Sequence, residues 1–280
     1  MKIALIGDLH YSVLDETVPG LIEARRDFYQ AFLEKFLDVE ADLHISIGDL
    51  TNYGHTEELV NVYSILRESD RNFYHVLGNH DLYAQTRTNV LNITGQKRYH
   101  SIITDDVILV FLDTAREMDY TNWGGWMDEE QLEWFEGVVK ASGTKPLFVF
   151  AHHPVYDTTK SSTNVNGSIH PDIDMWKILD QKEGTAIYFN GHTHVESIEQ
   201  KKNWHFVQLA ACLDLQSIRI VELDADSIRI YPLDIENESL RETAMVLHRN
   251  MSHFKPNPTP RGEEADYKCK IELVPTNQLV

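Results

Sequence analysis

Eight residues stand out for the chemistry they could share: Asp8, His10, Asp49, Asn79, His80, His152, His192 and His194. They come in short polar clusters: Asp8-Leu9-His10, Gly48-Asp49, Gly78-Asn79-His80-Asp81, His152-His153 and Gly191-His192-Thr193-His194. Carboxylate oxygens and imidazole nitrogens, with one amide oxygen, suit borderline divalent metals such as manganese, iron(II) or zinc. Asp8, His10, Asp49, Asn79, His152, His192 and His194 make seven potential ligands, more than one tetrahedral zinc needs. They suffice for two divalent metal ions if one carboxylate is shared. Each cluster alone says little. An Asp at a strand end commonly caps the next helix, and a lone His-x-His fits a solvated loop as well as a ligand pair. Five clusters in this order carry the reading together.

Each cluster follows a short apolar, β-type run: Ile3–Ile6, Leu43–Ile47, Phe73–Leu77, Leu147–Ala151 and Ala186–Phe189. Functional groups in open α/β sheets gather outside the carboxyl ends of strands. Between the runs lie helical periodicities, at Leu21, Ala24, Phe28, Phe32 and Phe36, at Leu59, Val62 and Leu66, and at Leu132, Phe135 and Val139. The alternation predicts an α/β fold. From Trp204 the pattern changes. Phe206–Leu209, Ile218–Leu223 and Ile228–Leu233 read as strands, with a turn at Asp224-Ala225-Asp226, and predict a meander closing a second sheet. Residues 1–250 are read as one domain. Pro256, Pro258 and Pro260 then forbid helix or inner strand, so 251–280 is expected to be a linker and a C-terminal arm. His44, His75, His100 and His205 alternate with apolar neighbours and are assigned to packing or surface.

Charge narrows the partners. Among 280 residues, 25 Lys+Arg face 44 Asp+Glu, a net −19. Such a surface repels a polyphosphate backbone unless a local cationic centre overrides it, which argues against nucleic-acid binding. The longest apolar run, Val107–Leu112, is far too short to span a membrane. The apolar start is also too short for a signal-peptide core. Cys212 and Cys269 form no metal or redox pattern and read as thiols in a reducing compartment. The expectation is a cytoplasmic protein without membrane association. A homodimer is compatible with the sequence, but no pattern encodes it.

The set of clusters resembles the calcineurin-like metallophosphoesterase superfamily, whose pattern is Asp-x-His, Gly-Asp, Gly-Asn-His-Asp/Glu, His and Gly-His-x-His. The match runs from residue 1 to about 200 and includes Leu112-Asp113-Thr114 and the segment Glu130–Trp134. The resemblance implies a four-layer αββα sandwich of two mixed β-sheets flanked by helices. It implies one metal on Asp8, His10, Asp49 and His194. A second would take Asn79, His152 and His192, with Asp49 bridging and His153 as the fallback ligand at its cluster.

Departures narrow the subfamily. Serine/threonine phosphatases of this superfamily carry Gly-Asp-x-x-Asp-Arg-Gly and an Arg before Gly-Asn-His. Here the text is Gly48-Asp49-Leu50-Thr51-Asn52-Tyr53-Gly54, and Leu77 precedes Gly78, which argues against a phosphoprotein substrate. Purple acid phosphatases place a metal-binding Tyr where Asn52 stands. The remaining pattern is similar to the class III cyclic-nucleotide phosphodiesterases and related bacterial phosphoesterases. The implied function is hydrolysis of a small phosphoester, most simply a phosphodiester such as a cyclic nucleotide. Two metal ions would supply a hydroxide for in-line attack, and His80 would serve as general acid. Asn52 is expected to accept the His80 ring hydrogen bond through its amide oxygen, and Asp81 to cap the following turn. The stretch Asp157–His170 reads either as a cover for the substrate or as a surface loop. A small-molecule phosphomonoesterase or a nuclease on the same scaffold are the enzyme alternatives. An inactive interaction scaffold is the other, and the complete ligand set weighs against it.

Overall fold

The computed structural model describes residues 1–273. The early apolar runs form strands β1 (Lys2–Ile6), β2 (Leu43–Ser46), β3 (Phe73–His75), β4 (His100–Ile103), β5 (Ile108–Phe111) and β6 (Leu147–Phe150). Strands β7 (Ala186–Asn190), β8 (Ser197–Lys201), β9 (Trp204–Gln208), β10 (Ser217–Leu223), β11 (Ser227–Asp234) and β12 (Cys269–Glu272) follow. The helices are α1 (Leu21–Asp38), α2 (Thr56–Leu66), α3 (Arg87–Thr94), α4 (Glu129–Ser142), α5 (Trp176–Leu179), α6 (Glu238–Asn250) and α7 (Glu264–Tyr267).

Two mixed six-stranded sheets result, in the orders β12-β11-β10-β1-β2-β3 and β4-β5-β6-β7-β9-β8. Side-chain alternation along a strand sends successive residues to opposite faces. Ile3 and Leu5 therefore point between the sheets, where Ile45, Ile47, Phe111, Phe148, Phe150 and Phe189 meet them. Ala4 and Ile6 point outward, onto Phe28, Phe32 and Phe36 of α1 and Leu240 and Leu247 of α6. On the far side Val110, Val149, Tyr188 and Phe206 pack under Phe135 and Val139 of α4 and Leu179 of α5. The order of layers is helix, sheet, sheet, helix, as the motif resemblance implied.

The expected meander exists but completes the first sheet. β10 pairs antiparallel with β1 and β11 with β10, whereas β9 runs parallel to β7 in the second sheet. The reason is physical. Ile218 and Ile220 face the helices while Val221 and Leu223 face the inter-sheet core, so β10 is apolar on both faces and its pattern suits either sheet. The segment read as linker and arm runs along this framework as far as it is described. β12 adds antiparallel to β11, and the Glu196 N–H donates to the Pro260 carbonyl at 2.7 Å. Residues 274–280 lie outside the described residues. No helix among those described is long and apolar enough to cross a membrane.

Candidate metal centre

Parallel strands β1, β2 and β3 of one sheet and β6 and β7 of the other end at the same edge of the sandwich. The residues just beyond them are therefore neighbours. The β1 and β2 loops are laced together, with Asp8 N–H donating to the Gly48 carbonyl at 3.1 Å and His10 N–H to the Asp49 carbonyl at 2.9 Å. Asp8, His10, Asp49, His192 and His194 all adopt left-handed backbone conformations, with φ between 48° and 76°. That region is disfavoured for residues with a Cβ. It turns each ligand side chain back over the strand ends.

All seven expected ligands come together. Asp8, His10 and His194 lie within mutual ligand distance, as do Asp8, Asp49 and His152. Asn79 Oδ1 is 3.1 Å from His152 Nε2, which is 3.1 Å from His192 Nδ1. Asp49 stands between the groups, its Oδ2 being 3.2 Å from His152 Nε2 and 3.9 Å from His10 Nε2. Backbone donors aim both carboxylates: His80 N–H to Asp49 Oδ1 at 2.8 Å, and His192 N–H to Asp8 Oδ1 at 3.0 Å. The approach is close enough to require glycine. A Cβ on Gly78 would stand 2.1 Å from Asp49 Oδ1, and one on Gly191 would stand 2.2 Å from Asp8 Oδ2.

Metal ligation by histidine needs the other ring nitrogen fixed. His152 Nδ1 is held by the Ile47 carbonyl at 3.1 Å and His192 Nε2 by the Asn166 carbonyl at 2.7 Å. Those bonds leave His152 Nε2 and His192 Nδ1 facing the centre. His153 is committed elsewhere, with Nδ1 on Thr114 Oγ1 at 2.8 Å and Nε2 on the Trp123 carbonyl at 2.9 Å. The expected partnership of Asn52 is corrected here. Its backbone carbonyl, and not its amide oxygen, holds His80 Nδ1 at 2.8 Å. The amide oxygen instead meets His10 Nδ1 at 3.2 Å, while Nδ2 donates to the Ser252 carbonyl at 2.9 Å. Asn52 is buried in a turn tied to Tyr11, which points its side chain toward the β1 loop. Asn52→Ala should therefore free His10 and weaken metal binding by roughly 10–100-fold. Competition with a chelator measures it, and an unchanged Kd would refute the assignment.

Asp81 does more than cap a turn. It accepts from Gly78 N–H and Thr51 N–H, both at 2.9 Å, and from Thr51 Oγ1 at 2.8 Å, which fastens the β2 and β3 loops together. His75, expected in packing, lies buried 3.2 Å from its carboxylate.

The electrostatics call for a cation. Among the described residues the basic groups within 4 Å of Asp8 and Asp49 are imidazoles alone. Burial opposes ionisation of Asp49, but the His152 and His80 imidazoles outweigh it and hold its carboxyl well below the usual range. Burial likewise opposes a charged His152, yet Asp49 and Asp8 lift it to about 9. His194 is also raised against burial, by Asp8, Asp214 and Asp49. His10 and His192 go the other way, lowered by burial and by neighbouring imidazoles, His192 to about 4. The carboxylates thus favour positive charge at His152 and His194, as buried carboxylates require. The oxygen and nitrogen donors fit divalent metals, which would supply that charge.

The sequence model of the family described as calcineurin-like phosphoesterase matches residues 1–196. The chain belongs to that family. It is accordingly a metal-dependent phosphoesterase, and the match takes in every one of the seven ligand candidates. A Rhodopseudomonas palustris protein named a probable cyclic nucleotide phosphodiesterase is 25% identical over 200 residues, 69% of this chain and 72% of that one. A 3′,5′-cyclic-nucleotide phosphodiesterase of Nostoc is 22% identical, covering 78% of this chain and 80% of its own. Among solved structures, a dimetal phosphatase from Danio rerio shares the fold at a TM-score of 0.67 and 15% identity, over 83% of this chain and 96% of that one.

In this phosphoesterase the centre opens into a cleft of about 680 Å³. Tyr83, Tyr120 and Trp123 form one wall, with Tyr120 stacked on Tyr83 at 4.6 Å between ring centroids. The stretch read as either cover or loop supplies Asn164, Val165 and Asn166, and the Pro-rich segment supplies Lys255 and Asn257. Sequence reasoning offered the Asp157–His170 stretch as a cover and missed the aromatic and Pro-rich walls. Tyr83 donates nothing to a motif, although its hydroxyl takes Asn79 Nδ2–H at 2.7 Å and so turns Asn79 Oδ1 toward the centre. It also missed Asp214 and Phe254, which pack behind His194. Isolated residues beyond the motif region carry no periodic or spacing signal that could have found them.

Proposed function

We propose that the chain hydrolyses small phosphodiesters, cyclic nucleotides among them, at a dinuclear metal centre. The observation carrying this reading is Asp49, placed between two groups of donors at the floor of an open cleft. Asp8, His10, Asp49 and His194 would hold one ion, and Asp49, Asn79, His152 and His192 the other. Manganese, iron(II) and zinc all suit such donors. Bound ions would activate water and stabilise charge on the phosphoryl oxygens. His80 lines the cleft. Its Nδ1 donates to the Asn52 carbonyl, which leaves Nε2 as the nitrogen available to a leaving oxygen. Burial lowers the His80 imidazole, and Asp49 and the Asn52 carbonyl act against that shift. A general acid must hold its proton until the transition state, and the Asp49 carboxylate and the Asn52 carbonyl are the groups that favour the protonated ring.

Charge in the cleft supports a diester over a monoester. Lys255 is the one lysine or arginine lining it among the described residues. A monoanionic diester needs less compensation than a dianionic monoester. The names of the curated relatives point the same way. With added manganese, kcat/KM for bis-p-nitrophenyl phosphate should exceed that for p-nitrophenyl phosphate, and cyclic AMP should be turned over. Faster turnover of the monoester would overturn the diester reading, and single-stranded DNA as best substrate at physiological salt would overturn the small-substrate reading.

A further inference from the structure

Three of the four histidines expected to ligate have their outward nitrogen on a neutral oxygen: His10 on Asn52, His152 on Ile47 and His192 on Asn166. His194 differs. Its Nδ1 faces the carboxylate of Asp214, with Oδ2 at 3.7 Å. The Asp214 side chain is sealed from solvent, and neither oxygen meets a donor in hydrogen-bond geometry among the described residues. Oδ1 lies 3.4 Å from His248 Nε2, a nitrogen on α6 that is itself buried without a hydrogen bond. Phe254 closes this arrangement. Its ring stacks on His194 at 5.1 Å and on His248 at 5.3 Å, and meets His10 edge-on at 4.9 Å. Asn257 Nδ2 then pins the His194 carbonyl at 3.0 Å.

A buried carboxylate without hydrogen bonds is costly unless it serves a charge nearby. Both of its neighbours are imidazoles, and one of them points its other nitrogen, Nε2, at Asp8 Oδ1, 3.5 Å away. We propose that Asp214 is the positioning residue of the half-site built from Asp8, His10, Asp49 and His194: its carboxylate takes the His194 Nδ1 proton, keeps Nε2 on the ion, and is steadied from behind by His248. The inference rests on the dinuclear reading above. It also ranks the two half-sites. The ion beside His194 has Asp8 and Asp49 as ligands and Asp214 one imidazole away, whereas the ion beside His192 has Asp49 alone. The first half-site is the tighter one and fills first. The family match ends at residue 196, so all three supporting residues, Asp214, His248 and Phe254, lie beyond it.

Manganese titration followed by calorimetry and by electron paramagnetic resonance tests the assignment without any assay of turnover. In Asp214→Asn, which keeps the shape and an acceptor oxygen, the Kd of the tighter ion should rise by about 10–100-fold while the weaker ion changes little. Asp214→Ala should raise it further. In a His194→Ala background Asp214→Asn should add nothing, because the two residues act as one unit. Unchanged affinities, equal weakening of both ions, or a full additional loss in the His194→Ala background would overturn the proposal. Circular dichroism on each variant establishes that the fold is retained, and the isosteric Asn variant decides if the Ala variant unfolds. A wild-type chain that binds only one ion would sink the dinuclear reading separately. The Kd of that single ion must still rise in Asp214→Asn for the present assignment to stand.

Discussion

Asp49→Ala should leave the protein folded, nearly empty of metal and without measurable phosphoesterase activity. Among the described residues Asp49 is the one carboxylate within 4 Å of imidazoles from both donor groups, at 3.2 Å from His152 and 3.9 Å from His10. Its removal deletes a ligand from each proposed half-site and the only anion held in common. His80 also loses the acceptor for its backbone N–H. The expected loss in turnover is at least the ~10⁴-fold attributed to a complete general acid, because nucleophile activation disappears together with charge stabilisation. Elemental analysis beside kinetics checks it. If Asp49→Ala keeps two tightly bound ions per chain, Asp49 does not bridge.

His80→Ala separates acid from ligand. The His80 ring lies outside the proposed ligand set, meets His10 edge-on at 4.5 Å between ring centroids and is anchored through Nδ1 to the Asn52 carbonyl. Metal content should therefore stay near the wild-type value. Turnover should fall by ~10²–10⁴-fold on a substrate that leaves as an alkoxide, and by much less on one that leaves as p-nitrophenolate, which needs little protonation. Equal losses on the two substrates would mean that His80 does not deliver the proton. Loss of one ion would mean that it ligates.

Much of the centre was legible because its residues sit within a few positions of the ends of apolar runs. Asp8, Asn79, His152 and His192 are recognisable once β1, β3, β6 and β7 are seen as parallel strands ending at one edge. The layers came from the motif resemblance and not from periodicity, since Ile3, Ala4, Leu5 and Ile6 are all buried and β1 is apolar on both faces. Direction was harder. Asn52 offers His80 its carbonyl and His10 its amide, a split governed by the turn it occupies and invisible to spacing. The sheet that β10 joins could not be read from a strand apolar on both faces. Asp214 and Phe254 were beyond reach because a single Asp or Phe in a loop has no period. Only the fold brings them behind His194, Asp214 from the loop between β9 and β10 and Phe254 from the segment after α6.

The left-handed conformations of Asp8, His10, Asp49, His192 and His194 bear on how copies of this fold would decay. Each such residue costs roughly 1–2 kcal/mol against the right-handed alternative, and glycine or asparagine relieves the cost. A lineage still under selection for catalysis must keep bearing it. A lineage released from that selection gains stability from the first glycine or asparagine to appear at any of these five positions, so drift should reach them early. The replacements found at positions 8, 10, 49, 192 and 194 of a diverged copy would then date its retirement from chemistry, while histidine or aspartate in a left-handed turn would mark an enzyme still at work.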